Sequence, residues 1–118
     1  MSRRAAETLI TQGSTGGKAK LCERIAYKND GALLWKAPTD DLWDLSALGT
    51  TSSIQYKAVL LQLDGGTASV VACAAAASAN AAAALVPAAM VTGTPLIGVY
   101  IMNPSGNFAN ALNAQGTT

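Results

Sequence analysis

The chain has 118 residues, eight Lys and Arg against seven Asp and Glu, no His, two Cys and 13% charged residues. That length suits one small domain with an arm, and a net charge of +1 supplies no global field to steer the molecule onto nucleic acid or an anionic membrane. Without His the chain lacks the commonest general base, most catalytic triads and many zinc sites, so neither an enzyme nor a cofactor or metal site is expected.

Residues 1–20 read as a flexible N-terminal arm. They begin with basic Arg3 and Arg4 but have no apolar run behind them, so they do not form a secretory signal. Their centre, Gly13-Ser14-Thr15-Gly16-Gly17-Lys18, is too poor in apolar area to offset its own ordering entropy. It has the look of a phosphate-binding loop, but only three residues separate Gly13 from the Gly17-Lys18 pair. Ala19 also stands where a magnesium-binding hydroxyl is needed, and no strand precedes the segment.

Residues 21–106 read as the folded part. Two short apolar runs on either side of Lys28-Asn29-Asp30-Gly31 predict a hairpin. Residues 38–45 suggest a helical turn capped by Thr39, with Asp40 and Asp41 in its first turn. Asp40, Asp41 and Asp44 fit an exposed helix start better than a metal cluster, because no further ligands gather nearby. Residues 54–63 alternate and then lose phase near Val59, which fits a bulge or a strand buried on both faces. They lead through Asp64-Gly65-Gly66 into residues 67–73, the strongest hairpin signal in the chain.

The low-complexity stretch 74–86 is open to two readings. Alanine propensity favours a short helix stopped before Pro87, while two Ala-rich strands about Ser78-Ala79-Asn80 would continue a β architecture. Ser69, Ser78, Asn80 and Pro87 argue against a membrane span over 68–91. Residues 96–102 form a continuous apolar strand expected at a central position in its sheet, and residues 107–118 read as a polar tail lying on a surface or a neighbour. The expected fold class is mainly β: a small sandwich or barrel-like domain of short hairpins, with a flexible N-terminal arm and, on the helical reading of 74–86, one short Ala-rich helix.

Two features bear on function. About a fifth of the residues are Ala and Phe108 is the single Phe, so a monomeric core would be thin and a homo-oligomer or docking on a larger body is expected. Every formal charge lies between Arg3 and Asp64, leaving residues 65–118 with none. An uncharged half of that size suits burial against a partner better than exposure to water. Six bases against Glu7 and Glu23 make the first 28 residues about +4. Five acids against Lys36 and Lys57 make residues 30–64 about −3. Such polarity fits either head-to-neighbour packing or a solvated face.

Candidate interface residues are Arg3, Arg4, Lys18 and Lys20 on the basic arm, together with Trp35, Trp43, Tyr100 and Phe108. The two Trp read first as core anchors of a small domain, with interface hot spots as the other reading. The basic residues are too scattered, with Tyr27 the one aromatic among them, to make a nucleic-acid footprint. Cys22 and Cys73 are expected to be free thiols in a reducing compartment, with no His to activate either.

The flexible arm, the short hairpins, the uncharged Ala/Gly/Thr-rich half and the run from Val86 to Val99, including Thr92-Gly93-Thr94-Pro95-Leu96-Ile97-Gly98-Val99, together resemble the small decoration, or cement, proteins on the heads of tailed bacteriophages. The resemblance is one of layout across most of the chain. It implies a mainly β protein, made in the host cytoplasm, that sits on the virion as a dimer or trimer. There it would bind the major capsid protein on the outer face of the shell and bridge neighbouring capsomers. The Ala-rich stretch departs from that layout. A fibre-like or receptor-binding surface module of a virion is the alternative.

Overall fold

The computed structural model describes residues 9–117. Arg3 and Arg4 lie outside the described residues. The protein is mainly β and built from short antiparallel strands. Strands β1 (Ile10–Gln12), β2 (Lys18–Leu21) and β5 (Thr39–Asp44) form one sheet in the order β1-β2-β5, while β3 (Ile25–Asn29) and β4 (Ala32–Lys36) form a two-stranded sheet of their own. The third sheet, in the order β7-β6-β8-β9, combines β6 (Lys57–Asp64), β7 (Thr67–Ala72), β8 (Leu96–Met102) and β9 (Gly116–Thr117).

Both expected hairpins form, for the reason their turns suggest. Asp30 and Gly31 have φ of 51° and 84°, and Gly65 and Gly66 have 59° and 90°. Each pair forms the two-residue loop between strands, closed by Asn29 opposite Ala32 and by Asp64 opposite Thr67. Two successive positive φ values match the right-handed twist of the flanking strands. β8 is internal to its sheet, as its unbroken apolar run predicts.

β6 organises the domain because it is buried on both faces from Ala58 to Leu63. Its odd positions Val59, Leu61 and Leu63 enter the larger core with Leu21, Trp43, Tyr100, Met102 and Phe108. Its even positions Ala58 and Leu60 meet Cys73, Ala82 and Val86 in a smaller core on the opposite face. The register of β6 against β8 also shifts between Leu61 and Gln62. Both readings of this segment, a bulge and a doubly buried strand, therefore apply.

The smaller core is roofed by α1 (Ala79–Ala84) and α2 (Val86–Ala89). Ser78 caps α1 by accepting a hydrogen bond from the Ala81 N–H, and Ala74 and Ala75 precede the helix without joining it. The Ala-rich helix α1 ends at Ala84, before Pro87 as expected, and Pro87 falls in the first turn of the separate α2, where its missing N–H costs nothing.

Three expectations are corrected. The expected helical turn at 38–45 is strand β5. Trp43 and Leu45, two positions apart, both point into the core, a spacing that only an extended chain provides. Residues 40–42 bulge out opposite the single Lys20, with Asp41 at φ 51°. Residues 9–20, expected to be a free arm, are strand over β1 and much of β2, with Ile10 and Ala19 buried. Ile10 supplies the apolar anchor: its Cδ1 lies over Gly98, 2.4 Å from where a β-carbon would stand.

The tail at 107–117 is likewise part of the fold. Phe108 and Leu112 are buried, and Phe108 meets Tyr100 edge-on with ring centroids 6.3 Å apart. The Tyr100 hydroxyl donates to the Leu112 carbonyl. Gly17 lets this tail pass: a β-carbon there would stand 2.6 Å from the Phe108 carbonyl oxygen.

Candidate docking surface

The β3–β4 hairpin lies across the larger core with one face in and one face out. Tyr27 is buried and Ile25 and Leu34 pack against the core, whereas the alternate positions Ala26, Lys28, Leu33 and Trp35 are exposed. Cross-strand pairing sets Ala26 opposite Trp35 and Lys28 opposite Leu33. The Arg24 guanidinium lies 4.3 Å from the centroid of the Trp35 ring, a cation–π stack that holds the indole in one orientation.

The hairpin is fastened at several points. Asn29 donates from Nδ2 to the Gly93 carbonyl at 2.9 Å and accepts from the Gly65 N–H at 2.9 Å. The Asp30 N–H also donates to Gly93, and Lys36 donates to the Gly66 carbonyl at 3.1 Å. An exposed face on an anchored hairpin loses little entropy on docking, which favours its use as a contact.

Trp35 is 57% and Leu33 61% exposed, unusual values for such large apolar side chains set side by side. The charges flanking this apolar pair, Arg24 and Lys28, are both positive, while the exposed Asp30 at the hairpin tip has its carboxylate against Gly93. Lys28 also borders an open groove of about 500 Å³ formed against residues 87–96. Met90 and Val91, which line the groove, are about half exposed, and Leu85 somewhat less. With the alanines of α1 and α2 they make an exposed, uncharged surface over residues 74–92.

A second polar cluster joins β5 to the β1–β2 loop. Ser14 donates to Asp40 through both its N–H and its hydroxyl, and Thr15 does the same to Asp41. The Ser14 hydroxyl is the main cause holding the Asp40 carboxyl below its ordinary value, with Lys20 helping electrostatically. Asp44 is lowered in the same sense by Ser46, with Lys18 helping. These carboxylates pin a loop. Among the described residues no three Cys, Asp or Glu side chains gather as a metal site.

The expected interface residues therefore separate. Trp35 is exposed, and Lys18 and Lys20 are half-buried beside the acidic bulge. Trp43, Tyr100 and Phe108 are core residues with at most 1% exposure, so none is available to a partner. Trp43 donates from Nε1 to the Gln62 carbonyl at 2.8 Å, beside the register shift in β6. Of the two free cysteines, Cys73 is buried, and burial pushes its thiol pKa up. Leu33 and Arg24 were missed in the sequence. The alternation through the predicted hairpin could have placed Leu33 beside Trp35, but nothing local signals the Arg24 stack.

No protein-family model, curated protein or solved structure matches the chain. No helix among the described residues is long and apolar enough to cross a membrane.

Proposed function

We propose that the protein is a structural virion component that decorates a phage capsid, binding its outer surface and bridging neighbouring capsomers, with copies associating as a homo-oligomer. The observation that carries this reading is the uncharged surface over residues 74–92, where Leu85, Met90 and Val91 stand exposed among alanines. Such a surface contributes apolar burial to a partner and costs no charge desolvation. Each copy adds a modest contact energy. Repetition over many symmetric sites turns that contribution into resistance of the whole shell to internal pressure.

The reading requires no catalysis, and the most engaged polar side chains have structural roles: Asp40 and Asp41 hold a loop, and Tyr100 fastens the tail. The test is to strip the protein from particles of the phage that encodes it and add it back. Rebinding at a fixed copy number, with a higher temperature of genome release, is the expected result. Particles equally resistant to heat and osmotic shock with and without the protein would refute the reading.

A further inference from the structure

We infer that the outward face of the β3–β4 hairpin, centred on Trp35 and Leu33, is the surface that recognises the shell, and that it seats on a protein patch with an apolar centre and a rim of carboxylates. This inference rests on the capsid-surface reading and names the chemistry of the partner in it.

Charge identifies the rim. Arg24 stacks on Trp35 and Lys28 stands opposite Leu33, both cations; the nearby Lys36 is turned to the Gly66 carbonyl, and the carboxylate of Asp30 at the hairpin tip lies against Gly93. A partner surface bearing Asp or Glu at this spacing would meet both cations and exclude a basic competitor. Arg24 has a double part: its guanidinium plane covers Trp35, and its remaining N–H groups can still meet a carboxylate. Trp and Arg are the residue types that most often dominate interface energetics.

Area argues against a second copy as the occupant of this face. Trp35 at 57% exposure and Leu33 at 61% offer roughly 250 Å² together, taking ~150–250 Å² for a large side chain. A stable pair needs about 800 Å² from each partner. A contact of this size holds well only where many copies act on one body, as on a shell.

The experiment is co-sedimentation of the full chain with stripped shells, across a series of salt concentrations, for the wild type and four variants. Trp35→Ala and Leu33→Ser should each weaken binding, the first by about thirtyfold or more. Arg24→Glu should weaken it by about tenfold and flatten the salt dependence. Ile54→Ser, at an exposed apolar position outside both the hairpin and residues 74–92, should leave binding unchanged. Far-UV circular dichroism melts check that each variant is folded, as expected for exposed positions. If wild-type protein does not bind shells, the capsid reading fails and this inference with it. If wild type binds and the Trp35 and Arg24 variants bind equally well, the reading stands and the inference falls. If Trp35→Ala instead dissociates an oligomer in light scattering, the face covers a second copy, which also overturns the inference.

Discussion

Trp43 and Trp35 are eight positions apart and chemically identical, yet their substitutions should differ several-fold in cost. Trp43 is fully buried and its Nε1 donates at 2.8 Å to the Gln62 carbonyl. Trp43→Phe keeps an aromatic ring in the core but removes the donor, leaving a buried carbonyl without that partner, at about 1–3 kcal/mol. The smaller ring also leaves a void, so the whole change should cost about 2–4 kcal/mol. That is a large fraction of the ~5–15 kcal/mol that holds a domain of this size together. Trp35→Phe removes no buried hydrogen bond and disturbs only an exposed cation–π stack, so its cost should stay under about 1 kcal/mol. Urea unfolding followed by far-UV circular dichroism measures both, with the slope against urea serving as a check that the unfolded state is unchanged. Trp43→Phe within about 0.5 kcal/mol of wild type would refute the view that this indole anchors β5 to β6.

Other outcomes follow from the same packing. The Gln62 side chain is buried and its Nε2 has no hydrogen-bond partner, while its Oε1 has only a long contact of 3.4 Å from Ser69. Gln62→Leu keeps the backbone carbonyl that Trp43 uses and should stabilise the protein by about 1 kcal/mol in urea melts. Gly98→Ala drives a methyl into Ile10 Cδ1 and should cost about 1–3 kcal/mol; Ile10→Val removes that contact atom, so the double variant should be more stable than the two separate costs predict. Asp40 and Asp44 have lowered pKa values in the fold, so the stability they supply is present above about pH 3.8 and lost as the pH falls below it. Thermal melts of Asp40→Asn should show a weaker acid dependence than wild type. Burial pushes Tyr100 up to about 12 from 10.0, so its contribution is complete below pH 10 and lost as the pH rises toward 12. Absorbance at 295 nm should show one phenol ionising late, together with loss of near-UV structure.

Local chemistry determined a good part of this fold. Asp30-Gly31 and Gly65-Gly66 supply consecutive left-handed residues, a requirement met within four residues of chain, so both hairpins were legible. The apolar run at 96–102 has no polar face to give to water, which placed it inside a sheet. The alanine segment did become helical, but its start at Ala79 depends on the Ser78 hydroxyl and its roofing role on Ala58 and Leu60, which lie about twenty residues earlier.

What only the tertiary structure decided are contacts between segments distant in sequence. Asp40 and Asp41 look like the start of a helix until Ser14 and Thr15, twenty-six residues before them, take their carboxylates into a loop clamp. Residues 9–20 look like a free arm because Ile10 is their one large buried anchor, and the hollow it fills exists only where Gly98 lacks a side chain. The tail looks polar because Phe108 and Leu112 are isolated in sequence; Tyr100 and Gly17 make the place where they are buried. The candidate surface divides in the same way. Alternation along β4 puts Leu33 and Trp35 on one face, but whether that face meets water or core depends on which side of the hairpin Tyr27 and Leu34 have already turned inward. Periodicity groups side chains into faces, and only the packing of distant segments decides which face is left for a partner.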